Sequence, residues 1–102
     1  MSGEHPVALL TGAARRIGAQ TARTLHRYGF NVIVHYGTSV GDAEALVADL
    51  NRERADSALA LQADLNRLTD IQALAENSLK AWGRMDALIN NASSFYPTAV
   101  SE

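Results

Sequence analysis

Residues Thr11–Gly18 read TGAARRIG and follow directly on a short apolar run, Pro6–Leu10. A strand that passes through a glycine turn into a helix builds a phosphate site. The free N–H groups of the first helical turn and the positive helix end both point at the turn. Gly12 allows the turn and a close approach of backbone to a ligand, and Gly18 allows the helix to pack tightly on the sheet. The dinucleotide fingerprint places a third glycine between them, where this chain has Arg16, beside Arg15. An arginine there brings a fixed charge and a planar donor fork to the mouth of the site. A glycine pair after a strand also occurs in ordinary β–α turns, so the remaining segments decide.

Three further segments carry polar groups at the ends of apolar runs. His35–Ser39 reads HYGTS, and no acid occurs before Asp42. An NAD site wants an acid there for both ribose hydroxyls. Its absence removes repulsion against a 2′-phosphate, to which Thr38 and Ser39 could donate hydroxyls while Arg16 supplies charge. This reads as NADP rather than NAD, although Thr38 and Ser39 could equally cap the next helix. Asp64 could accept the adenine amino group, with the Leu65 N–H meeting a ring nitrogen, or Asp64 could cap the helix that follows. Asn90–Thr98 reads NNASSFYPT. Asn90 could satisfy backbone groups of a neighbouring loop, and Ser93 and Ser94 offer hydroxyls. Phe95 could stack a planar ligand or pack beneath a further helix.

The elements that must position these groups follow from apolar spacing. Val7–Leu10 is a buried strand. Ile17, Thr21, Leu25 and Tyr28 recur at helical spacing up to the stop at Gly29. Asn31–Tyr36 (NVIVHY) is a β-branched strand between Gly29 and Gly37. Ala43, Leu46, Val47 and Leu50 form the inner face of a second helix that starts near Gly41 and Asp42. Ala58–Leu61 is a third strand. Ile71, Leu74, Ala75 and Trp82 mark a third helix stopped by Gly83, and Met85–Ile89 is a fourth strand. Alternation of this kind predicts an α/β fold with a parallel sheet and helices on both faces. The expected strand order is 3-2-1-4, half of a doubly wound, Rossmann-like fold. All strand ends then share one edge of the sheet, where open α/β sheets bind ligands. The candidate cofactor contacts on that edge are Gly12, Arg15, Arg16, Ile17, Gly18, His35, Tyr36, Ser39, Asp64, Leu65, Asn91, Ala92 and Ser93.

Composition bounds the rest. The chain has 102 residues, is 47% hydrophobic and carries a net charge of −2, which fits a globular domain and argues against a general nucleic-acid binder. There is no cysteine, so no disulfide and no thiol chemistry, and His5, His26 and His35 lack metal-ligand spacing. No apolar run approaches the ~20 residues of a membrane span. The N-terminus lacks the basic start and apolar core of a signal peptide, which makes a cytoplasmic protein the expectation. A chain ending at Glu102, just past the fourth strand, would leave that strand's edge unpaired. Residues 1–102 therefore read as the N-terminal, cofactor-binding part of a single larger domain.

Taken together the segments resemble the short-chain dehydrogenase/reductase family. TGAARRIG is similar to its Thr-Gly-x-x-x-Gly-x-Gly turn with Arg16 at the middle glycine. NNAS is similar to its Asn-Asn-Ala-Gly with Ser93 at the glycine. These two departures and the run NNASSFYPT resemble the pteridine reductases within that family. The resemblance implies NADPH-dependent reduction of a pterin such as dihydrobiopterin or dihydrofolate. It implies that Arg16 reaches a cofactor phosphate and the pterin, that Ser93 bonds both, and that Phe95 stacks the pterin on the nicotinamide. Close members often carry a basic residue where this chain has Gly37 and Thr38, so the NADP preference rests on Arg16 and Ser39. The family's proton donor lies in a Tyr-x-x-x-Lys motif, which these residues do not contain. Lys80 is the one lysine, with Glu76 four before it. The resemblance thus places catalysis in a continuation of the chain and implies a homo-tetramer for the full-length protein. Two rival readings stand beside it: a carbonyl or 3-oxoacyl reductase of the same family, and a non-catalytic nucleotide-binding or interaction module.

Overall fold

The structure, a computed structural model, describes residues 5–91. Its elements alternate as the apolar spacing predicts: β1 (Val7–Thr11), α1 (Arg16–Arg27), β2 (Asn31–Tyr36), α2 (Val40–Glu53), β3 (Ala58–Gln62), α3 (Leu68–Trp82) and β4 (Ala87–Asn90). The strands form one parallel sheet in the order β3-β2-β1-β4. In register, Leu9 of β1 lies between Ile33 of β2 and Leu88 of β4.

The two-residue alternation of the strands divides the core between the faces. Ala8, Leu10, Val32 and Val34 pack with Ala22 of α1 and Ala43, Leu46 and Leu50 of α2. Val7, Leu9 and Ile33 pack with Leu74 and Trp82 of α3. Leu10 and Ile33 are fully buried, and each such side chain contributes roughly 2 kcal/mol. No helix among the described residues is long and apolar enough to cross a membrane.

Helix α1 departs from the face predicted for it. Of the predicted face Leu25 packs against the core, but Ile17 and Tyr28 are exposed (75% and 78%), and the fully buried stripe is Gly18, Ala22 and His26. Close packing of the helix on the strands selects small residues at Gly18 and Ala22, which carry little hydrophobic signal, and His26 is buried through its polar contact with Ser57. Gly29, at φ 101, ends α1: its N–H meets the carbonyl of His26 (3.0 Å) and the Phe30 N–H meets that of Leu25 (3.0 Å). The last strand also starts later than expected, at Ala87, because Asp86 is engaged otherwise. Its carboxylate accepts the Val7 N–H (2.8 Å) and both arms of Arg84 (2.8 Å each). The Arg84 hydrogen bonds, and then the Val7 N–H, hold the Asp86 carboxyl below its ordinary range.

A buried polar brace closes the N-terminal edge of the sheet. The Nε2 of His26 lies 2.7 Å from the Ser57 hydroxyl, and both residues are almost wholly buried. Asn51 Oδ1 accepts the N–H groups of Ser57 and Ala58 (2.9 and 3.0 Å). Arg54 donates to the carbonyls of His26 and Phe30 (3.1 and 2.7 Å). Burial, and then the Arg54 charge, push the His26 pKa below its ordinary 6.5. Above 6.5 both folded and unfolded chains hold His26 neutral, and its contribution is intact. Below 6.5 the unfolded chain takes up a proton first, so stability falls until the folded-state value is passed. The melting temperature is expected to drop as the pH falls through and below 6.5. His26→Gln should lose most of that slope, and equal slopes in variant and wild type would contradict the assignment.

Candidate functional site

The C-terminal ends of the parallel strands meet at the opposite edge, and hydrogen bonds tie them into one frame. Thr11 ends β1: its hydroxyl donates to Asn90 Oδ1 (2.7 Å), and its carbonyl accepts the Asn91 N–H (3.0 Å). Gly12 turns the chain at φ 61, the left-handed region that suits glycine. Its N–H donates to Nδ1 of His35 (3.0 Å), and the Ala13 N–H donates to the carbonyl of His35 (3.2 Å). Across the ring, His35 Nε2 lies 2.9 Å from the carbonyl of Ala63. The Ala63 N–H returns to the carbonyl of Tyr36 (3.2 Å), and Gln62 bonds the carbonyl of Gly37 (3.1 Å). The ends of β4, β1, β2 and β3 are thereby joined in sequence.

Helix α1 opens on this frame. Its N-cap residue, Arg15, makes no side-chain cap, and no acidic residue lies in the first turn. Nothing in that turn competes with an anion for the free N–H groups. Gly18 is pressed against the turn: a Cβ there would lie 2.7 Å from both Ala13 Cα and the carbonyl oxygen of Gly12. Arg16 takes φ 55, a left-handed conformation that costs a residue with a Cβ about 1–2 kcal/mol. Arg15 is exposed, with its guanidinium 3.6 Å from the Asp42 carboxylate at the start of α2. Ile17 stands in solvent beside the turn.

The other predicted residues fall around this frame. Tyr36 is half-buried against the core shared with α1 and α2. Ser39 occupies the N-cap position of α2 but makes no capping hydrogen bond. Asp64 does not cap α3, whose N-cap is Arg67. Its carboxylate instead accepts the Asn66 N–H (3.0 Å), and its own N–H is held by Asp70 (2.9 Å). Leu65 is half-buried against the core that α3 covers. Asn91 Nδ2 is buried and has no hydrogen-bond partner among the described residues. Ala92, Ser93 and Phe95 lie outside the described residues.

Two features of the frame escape a reading of the sequence alone. The Thr11 hydroxyl has a partner in Asn90, a residue distant in the chain, and both ring nitrogens of His35 are engaged inside the protein. The alternation within NVIVHY does place His35 on one face with Ile33, the face turned toward α3. That signal marks it as an inward residue.

The geometry suits a diphosphate. An acid-free helix start, a left-handed turn at Gly12, the close-packed Gly18 and an exposed arginine beside them together form a cradle suited to an anionic phosphate group. The profile of the short chain dehydrogenase family matches residues 6–102. Among curated relatives, the chain is 44% identical to pteridine reductase 1 of Leishmania tarentolae, over 91% of this chain and 38% of the relative. It is 41% identical to tetrahydroxynaphthalene reductase PfmaG of Pestalotiopsis fici, over 84% of this chain and 31% of the relative. It is 38% identical to a 3-oxoacyl-[acyl-carrier-protein] reductase of Staphylococcus aureus, over 83% of this chain and 34% of the relative. The chain thus spans well under half the length of the relatives it matches.

Proposed function

The chain belongs to the short-chain dehydrogenase family, and from that premise we propose that it is the cofactor-binding N-terminal part of an NADPH-dependent pterin reductase. The observation that carries the reading is Arg16. It stands where the family turn has its middle glycine, and it holds a left-handed backbone that a glycine would adopt without cost. Strain retained at a ligand mouth points to a side chain that the ligand needs. The identity to a pteridine reductase supports the same substrate class.

In this reading Gly12, Arg15, Ile17 and Gly18 present backbone to the diphosphate. Arg16 bonds a phosphate and the pterin, Ser93 bonds both ligands, and Phe95 stacks the pterin. Ser39, with Thr38, takes the 2′-phosphate at the start of α2, where Arg15 offsets the Asp42 carboxylate. Asp64 and Leu65 receive the adenine, while Tyr36, Asn91 and Ala92 border the nucleoside. When bound, NADPH supplies the hydride for a pterin C=N bond. The matching proton comes from a tyrosine outside residues 1–102, which places the active enzyme in the full-length protein, a cytoplasmic homo-tetramer.

The second reading is a 3-oxoacyl or other carbonyl reductase, favoured by the identity to the Staphylococcus aureus enzyme. Initial rates of NADPH oxidation by the full-length protein separate the two, with dihydrobiopterin and a 3-oxoacyl thioester as alternative acceptors. The pterin is expected to be the faster one.

A further inference from the structure

We propose that His35 is a positioning residue, whose imidazole locks the phosphate-binding turn to the adenine-side end of β3 as a single neutral tautomer. The proposal rests on reading the strand ends as a dinucleotide site. It adds a role for a side chain that does not itself touch the ligand.

Both partners of the ring dictate its state. The Ala63 carbonyl can only accept, so Nε2, 2.9 Å away, carries the proton. The Gly12 N–H can only donate, so Nδ1, 3.0 Å away, carries none. Two independent contacts demand the same neutral form. His35 is 3% exposed, and its bond to Ala63 is buried while that to Gly12 is part-buried. The backbone of His35 adds a third tie, accepting the Ala13 N–H at 3.2 Å. The turn is therefore held through Gly12 and Ala13 to β2, and through the imidazole to Ala63, the residue before Asp64. The imidazole bridge, with the backbone bonds from Ala13 to His35 and from Ala63 to Tyr36, sets the position of the diphosphate cradle relative to the Asp64–Leu65 segment. A dinucleotide spans both places, and its affinity depends on their spacing being fixed before it arrives.

Three substitutions in the full-length protein separate positioning from packing. His35→Phe keeps a flat ring and removes both bonds. His35→Asn sets an amide oxygen near the place of Nδ1 and restores an acceptor for Gly12. His35→Gln reaches toward Ala63 and leaves Gly12 without one. NADPH dissociation constants are measured by fluorescence titration, well below each variant's unfolding midpoint. A long-range ¹H–¹⁵N spectrum of the wild type reads the tautomer. The expected result is a wild-type ring protonated at Nε2 alone. NADPH binding should be weakened at least about tenfold in all three variants, because each breaks at least one half of the bridge. The proposal is overturned if Nδ1 carries the proton, or if any of the three variants binds like wild type. Should His35→Phe fail to fold, the Asn and Gln variants and the spectrum decide. A folded wild type that binds neither NADPH nor NADH overturns the dinucleotide reading and this proposal with it. Normal wild-type binding with no effect of the substitutions overturns the positioning role alone.

Discussion

Gly18→Ala is expected to destabilise the protein by about 2 kcal/mol and to abolish measurable NADPH binding. In an open helix the same change adds stability, up to about 1 kcal/mol, because alanine is the better helix former. At Gly18 that gain is outweighed. The added Cβ would lie 2.7 Å from Ala13 Cα and from the Gly12 carbonyl oxygen, and 3.3 Å from the Ala13 carbonyl carbon. All three are backbone atoms and cannot rotate aside, so either α1 lifts from the sheet or the turn shifts. The first costs core contacts around Ala22, and the second moves the diphosphate cradle. Gly41, in α2, is the control, because a Cβ there meets nothing within 4 Å. Gly41→Ala should raise the urea midpoint slightly and leave cofactor binding alone. If the two variants behaved alike, the close approach of α1 to its turn would not be what Gly18 secures.

Arg16→Gly should separate stability from function in the opposite sense. Glycine adopts φ 55 freely, so the variant should gain about 1 kcal/mol as the left-handed strain is relieved. The lost guanidinium removes charge-assisted hydrogen bonds worth roughly 1.5–3 kcal/mol, about 10- to 150-fold in kcat/KM for the pterin. Arg16→Ala removes the charge but keeps a Cβ in the left-handed region. It should lose as much activity and gain no stability. Urea unfolding and pterin kinetics on both variants check the two halves. Unchanged kinetics in Arg16→Gly would remove Arg16 from the site.

Much of this was legible in the sequence because the strands are short apolar runs bounded by glycine. NVIVHY spans β2 end to end, and the β–α alternation dictates a parallel sheet. The orientation of α1 was not legible. Its inner stripe of Gly18, Ala22 and His26 holds no large apolar side chain, while Ile17 and Tyr28 face solvent; the contrast lay in Arg16, Arg23 and Arg27 on the outer side, which apolar spacing does not read. The residues on the strand-end edge could be read because polar side chains after a strand stand out. Their bonding could not. The links from His35 to Ala63 and from Thr11 to Asn90 join segments 28 and 79 positions apart, and only the assembled sheet brings them together. Asp86 is another such case. Within the apolar run Met85–Ile89 it looked like a strand residue, yet it serves Val7 and Arg84 instead.

The most direct test of the account is reduction of dihydrobiopterin by the full-length protein, followed with NADPH and, in parallel, with NADH. The account predicts turnover with NADPH, slower turnover with NADH, and a slower reaction when a 3-oxoacyl thioester replaces the pterin. Faster turnover of the thioester, or equal use of the two cofactors, would contradict it.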